Sequence, residues 1–200
     1  MNLSEICAIR TGFTARSSLH EDADGVLAIQ WRDFAGRRQI TAGQLTRVDP
    51  DLLVERFMVA EGDVVFCSRG ERNIAAALDN SFVEPALVVS PLMVLRPDKR
   101  KVLPEYLAWA INQPDAQRYF DMNARGTSIR MIPKTSLERL EVDLPDLETQ
   151  RFIALADALS QREEVLSQLL AHKKRELTTM ILNDRAKAAL KQKAPERKMS

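Results

Sequence analysis

"SLERLEVDLPDLETQRFIALADAL" occupies residues 136–159, and its reading decides the fold. An alternating apolar segment, "LEVDL", leads into Pro145, after which neither Gly nor Pro interrupts the chain from 147 to about 183. The alternation predicts a short strand, and the uninterrupted stretch predicts a helix about 50 Å long at ~1.5 Å per residue. Along it, Ala156, Leu159, Glu163, Leu166, Leu170, Lys173, Leu177 and Met180 recur at the 3,4 spacing of a coiled-coil seam. Such a stripe is too narrow for the centre of a globular core, so the helix is expected to pair with another helix. The alternative is a helix folded back along its own domain.

Upstream the pattern is different. Short β-like runs, "GVLAIQW", "DVVFCS" and "ALVVSPLMVL", alternate with Gly, Asp and Ser up to about residue 95. "PEYLAWAINQPDAQRYFD", residues 104–121, carries apolar side chains at helical spacing, with Pro104 at its start and Pro114 at a break or near its end. That is one helix or two short ones. The sum is an α+β chain: one mixed, sheet-rich domain over 1–146, a long helix over 147–184 forming an antiparallel coiled coil, and a basic, frayed tail over 185–200.

Composition narrows the function. With 200 residues and two cysteines, Cys7 and Cys67, both in apolar surroundings, the chain suits one medium domain plus an appendage in a reducing cytosol. The start, "MNLSEICAIRTG", has no export pattern, and no apolar run approaches the ~20 residues of a membrane helix. A soluble, cytoplasmic protein is expected. Net charge is +1, yet residues 1–150 hold 18 Lys and Arg against 22 Asp and Glu, whereas 151–200 hold 11 against 6. Any polyanion contact in the first part must therefore come from local arginine clusters.

Catalytic patterns are missing from the sequence. His20 and His172 stand far apart without companions at metal-ligand spacing, and no glycine-rich phosphate or cofactor loop and no G-x-S-x-G elbow occurs. Pro-Asp dipeptides at 50, 97, 114 and 145 read as turn chemistry and build no nuclease signature. Neither a metal site nor a cofactor is expected on this chain.

Three stretches offer groups that could meet DNA. "NARGTSIRMIPK" presents Arg125 and Arg130 as forked donors, Gly126 for close backbone approach, Thr127 and Ser128 as small hydrogen-bonding groups, and Lys134 as a point charge. "FCSRGERN" ends a strand in Ser68, Arg69 and Arg72, and would look much the same as a plain hairpin turn. The third set is Arg10, Thr11 and Arg16 in "IRTGFTARSS", with Gln30 and Arg32 in "QWRDF". Trp31 and Phe34 are read as core residues, because aromatics are only 6% of the chain and a sheet needs them for packing.

"GTSIRMIPKTSLERLEVDLPDLETQRFIALADAL" resembles the end of a target-recognition domain in the specificity subunit of type I restriction-modification systems. There a Gly-Thr/Ser loop and an "iPlPpleeQ" segment precede a long helix. "LVERFMVAEGDVVFCSRGE" and "LVVSPLMVLRPDKRKVLPEYLAWAINQ" are similar to further segments of that family, so the likeness spans about residues 3–183. Thr149 stands where the family has Glu, and one domain with one helix appears where the family usually has two of each. The chain thus looks like half a subunit.

The resemblance implies a non-enzymatic DNA-recognition module that binds double-stranded DNA and directs a methyltransferase subunit, with or without a restriction subunit. Those partners would use S-adenosylmethionine, and ATP with Mg if restriction occurs. Seam positions 163 and 173, 166 and 170, 159 and 177, and 156 and 180 are symmetric about Gln168. An antiparallel homodimer would thus oppose Glu163 to Lys173 and select a split palindrome whose gap is set by helix length. The rival readings are a scaffold or anti-restriction decoy of the same fold, and a small nuclease.

Overall fold

The computed structural model describes residues 1–15, 19–34, 38–49, 55–70, 73–126 and 130–193, with side chains to 189. The chain forms two units, Met1–Ala154 and Leu155–Ser200.

In the first unit, two apolar runs build the central layer. β5 (Val64–Cys67) and β8 (Leu92–Pro97) pair antiparallel, with β1 (Cys7–Thr11) against β8 and β6 (Ala75–Ala77) against β5, giving the order β1-β8-β5-β6. Because a strand's side chains alternate between faces, Val64, Phe66, Met93 and Leu95 point one way and Val65, Cys67, Leu92 and Val94 the other. Both faces are covered, so these strands read as unbroken apolar runs. The first face packs on α2 (Pro104–Ile111) and α3 (Pro114–Asn123), where Phe66 and Phe120 lie with ring centres 5.2 Å apart. Pro114 separates the two helices.

The second face meets another sheet, ordered β3-β2-β7-β4, from β2 (Glu21–Ile29), β3 (Thr46–Val48), β4 (Met58–Val59) and β7 (Ala86–Val88). Its β2 and β7 run parallel, so the two sheets together are mixed, as the sequence predicts. "ALVVSPLMVL" is two strands rather than one, β7 and β8, which belong to different sheets and are joined by the turn Val89–Leu92. This link ties the sheets to each other at one end.

Two expectations are corrected here. "LEVDL" is not a sheet strand: residues 134–138 form α4 (Lys134–Glu138), and the segment after it makes a single bridge, Asn2 with Glu141. Its alternation serves packing instead, since Leu140 and Val142 are buried in the core. The long helix α5 runs over Leu147–Lys193, well past the expected end near 184. "RAKAALKQK" consists of good helix formers with no breaker before Pro195, so nothing stops it at 184.

The start of α5 belongs to the first unit. Asp146 caps it by accepting from the Glu148 and Thr149 amides at 3.0 and 2.9 Å, and the Thr149 hydroxyl donates back to the same carboxylate at 2.9 Å. These bonds hold the Asp146 carboxyl below its usual range. One residue on, Gln150 is fully buried: its carbonyl accepts from the Leu103 amide at 2.9 Å, and its amide donates to the carbonyls of Lys101 (3.0 Å) and Pro145 (2.8 Å). Ile153 packs against the same core. The compact unit therefore closes at Ala154, within the helix, rather than at 146.

Candidate nucleic-acid interface

The register of the sheets brings the three sequence stretches to one end of the domain, around the turn Val89–Leu92. β1 ends there because Thr11 is opposite Met93, and β5 ends there because Cys67 is opposite Leu92. β2 ends beside β7, with Ile29 opposite Val88, and the Val89 amide then donates to the Ile29 carbonyl at 3.0 Å. From β1, the Gly12 amide donates to the Leu92 carbonyl (2.8 Å) and the Phe13 carbonyl accepts from the Ser90 amide (2.8 Å). A Cβ on Gly12 would lie 2.8 Å from the Val88 carbonyl oxygen and 2.9 Å from the Ser90 nitrogen, so only glycine lets this loop seat against the turn.

The hairpin tip and the polar loop meet each other. Met131 forms bridges with both Arg69 and Arg125, and the Ile132 amide donates to the Ser68 carbonyl at 2.9 Å. Two stretches more than fifty residues apart thereby expose Arg69 and Arg125 on one surface, and neither side chain has a partner among the described residues. Gly126 has φ of 99°, a left-handed conformation that side chains resist.

Other candidates are already engaged. Ser68 is 1% exposed and its hydroxyl donates to the Pro91 carbonyl at 2.5 Å, so it holds the turn and is not free to contact DNA; a buried hydroxyl must find a partner inside. Arg130 binds Asp121 through its carboxylate (3.3 Å) and its carbonyl, and Lys134 pairs with Glu138 one helical turn on at 3.1 Å. Arg10 is half-buried and donates to the Arg56 carbonyl at 3.2 Å, whereas Thr11 is exposed at the strand end. Gln30 is half-buried, with its backbone amide donating to the Asp33 carboxylate at 2.7 Å. Arg32 reaches the Thr46 hydroxyl at 3.1 Å and Glu21 at 3.7 Å. Arg16, Arg72, Thr127 and Ser128 lie outside the described residues.

Two residues depart from the sequence reading. Trp31 is 65% exposed rather than core, because in the short helix α1 (Trp31–Phe34) it is Phe34 that turns inward, at 2% exposure. Arg56 joins the same end through its carbonyl contact with Arg10, its guanidinium lying 4.6 Å over the Phe57 ring. Both cysteines are buried, and burial pushes the Cys7 thiol up to about 12 and raises Cys67 as well, which makes them packing groups and poor nucleophiles. Among the described residues no cluster of His, Cys, Asp or Glu is placed to hold a metal ion, and no helix is long and apolar enough to cross a membrane.

A helix-backed pair of sheets that gathers arginine-bearing loops at its strand ends, continued by a long helix, is the architecture of a loop-presenting recognition domain. Residues 1–179 match the profile described as type I restriction modification DNA specificity domain, and the chain belongs to that family. Solved structures share the fold. One, described as showing complex assembly and conformational transition of the type I R-M system, is 22% identical, with a TM-score of 0.63 over 90% of this chain and 42% of its own. The HsdS subunit from Thermoanaerobacter tengcongensis is 22% identical, with a TM-score of 0.57 over 84% of this chain and 38% of its own. The S subunit from M. genitalium is 14% identical, with a TM-score of 0.55 over 84% and 40%. The chain thus spans about two fifths of the length of these structures. No curated protein sequence matches it.

Proposed function

We propose that residues 1–154 read a short DNA half-site through the strand-end surface around the turn Val89–Leu92, as the specificity component of a type I-like restriction-modification system. The observation that carries this reading is the convergence of separate loops on that turn, with Arg69 and Arg125 flanking Met131 and without a side-chain partner among the described residues. Forked guanidinium donors suit guanine edges and phosphates, and groups held by strand ends are positioned more firmly than groups on free loops. Thr11, Gly126, Gln30 and Arg32 belong to the same face, with Arg10 as its buttress.

The helix α5 pairs antiparallel with a second copy. All eight seam residues, from Ala156 to Met180, are exposed, and Leu159, Leu166, Leu170, Leu177 and Met180 are each more than half exposed. Antiparallel pairing about Gln168 sets Glu163 against Lys173, where parallel pairing would oppose like charges. Two identical readers on a twofold axis select a split palindrome. Methylation and cleavage belong to partner chains that use S-adenosylmethionine, and ATP with Mg.

The test is selection from a randomised duplex library by the full chain with whatever chains co-purify. Enrichment of a two-part palindrome supports the reading, and replacing Arg69 and Arg125 by Ala is expected to lower affinity for it at least tenfold, at ~1–3 kcal/mol per good base contact. A chain that enriches no motif is a protein-binding scaffold instead, and turnover of DNA by the chain alone would make it an enzyme.

A further inference from the structure

We propose that Trp31, flanked by Gln30 and Arg32, is a second base-reading element of the same face, one that reads different half-site positions from Arg69 and Arg125. The inference rests on the DNA-reading function proposed above and adds to it a residue that no motif assigns.

The indole is 65% exposed, whereas the chain's other tryptophan, Trp109, is half-buried with its ring 5.3 Å from that of Tyr106. Leaving an indole in water forgoes one of the largest burial gains any side chain offers, and here a neighbour, Phe34, takes the core position instead. Trp31 lines a recess of about 380 Å³ together with Leu19, Glu21, Gln30, Arg32, Val48 and Ser90. The surroundings suit nucleobases. The Gln30 side-chain amide has no partner among the described residues, so its donor and acceptor are free for a base edge. Arg32 is steered by Thr46 and Glu21 yet stays about half exposed, and Glu21 is offset by that contact. Another carboxylate, Asp33, spends one oxygen on the Gln30 backbone amide at 2.7 Å. An aromatic plate beside an amide and a guanidinium can cover an apolar base edge in the groove, such as a thymine methyl, while the polar groups meet neighbouring edges.

Position separates this element from the arginine pair. Trp31 reaches the turn from the Val89 side, through β2 and the Ile29 carbonyl, whereas Arg69 and Arg125 reach it from the Pro91 side, through Ser68. Deleting one should leave the other's base contacts intact.

Three full-length proteins, wild type, Trp31→Ala and Arg125→Ala, are put through the same randomised-duplex selection with any co-purifying chains. Trp31→Ala is expected to relax one block of positions, with affinity for the wild-type motif falling about tenfold, and Arg125→Ala to relax another. Trp31→Phe should recover most of the loss, and the melting temperature should not move because the indole is exposed. In a Trp109→Phe background, Trp31 is the sole indole, and its fluorescence should be quenched by the selected duplex. A selective wild type with Trp31→Ala unchanged in motif and affinity, or with the indole signal unmoved on binding, overturns this inference alone. So does loss of a co-purifying chain with the motif kept, which would make Trp31 a protein contact. A wild type that selects nothing overturns the underlying function and this inference with it.

Discussion

The two units treat their apolar residues in opposite ways. In Met1–Ala154 the large side chains go inside: Phe66, Phe120, Leu107 and Ile111 are fully buried, and even the polar Gln150 is enclosed with its hydrogen bonds made. Beyond Ala154, Leu159, Leu166, Leu170 and Leu177 are each more than half exposed on a helix with no covering surface of its own. A domain that buries its core is stable by itself, whereas a helix with an exposed leucine stripe finds its stability in a partner. Under the proposed function the two parts have different jobs, reading and pairing.

The strongest challenge to it is a pair of truncations, one in the core and one on the exposed helix. Phe66→Ala should cost the first unit about 3–5 kcal/mol, read by chemical denaturation, while Leu166→Ala should leave that unfolding unchanged and act only on association. Equal destabilisation by both would erase the distinction. Gln150→Ala sharpens the boundary. It orphans the Leu103 amide and two carbonyls in the interior, so a loss of about 2–3 kcal/mol is expected. Truncation after Ala154 should then keep a cooperative melt, and truncation after Leu147 should not.

On the helix the expected effects are smaller and belong to the proposed dimer. Glu163→Lys should weaken self-association about tenfold, some 1.4 kcal/mol, and Lys173→Glu in addition should restore it, as measured by sedimentation. Lys173 also pairs with Glu176 at 2.8 Å within its own helix, a competitor that limits the gain. No recovery in the double variant would reject the twofold register about Gln168.

The smallest effect lies at the domain's exposed margin. Hydrogen bonds from Arg100 hold the Asp98 carboxyl at about 2, below its ordinary 3.8. A carboxyl whose pKa is depressed by folding stabilises the folded state above the ordinary value and loses that contribution as pH falls through 2. Asp98→Asn should therefore flatten the stability profile slightly between about pH 4 and 2, and the difference should shrink in salt because the pair faces solvent.

Local patterns carried much of this architecture. The 3,4 spacing and the breaker-free stretch after Pro145 announce α5, since helical periodicity is written in neighbouring residues. "DVVFCS" and "ALVVSPLMVL" announce β5, β7 and β8 because strands covered on both faces need apolar residues at every position. Arg69 and Arg125 are candidates from the strand tip and polar loop that carry them, with the family resemblance favouring the loop of Arg125.

Which candidates remain free was decided elsewhere. Arg130 carries the same guanidinium as Arg125, but the fold sets Asp121 beside it; Ser68 is as polar as Thr11, but the Pro91 carbonyl claims it. Trp31 and Phe34 read alike as aromatics, and only the packing of the second sheet chose which one to bury. Ser68 meets Pro91, and Arg69 meets Met131, only because the register of β5 and β8 carries distant stretches to the turn Val89–Leu92, a pairing that no window of neighbouring residues contains.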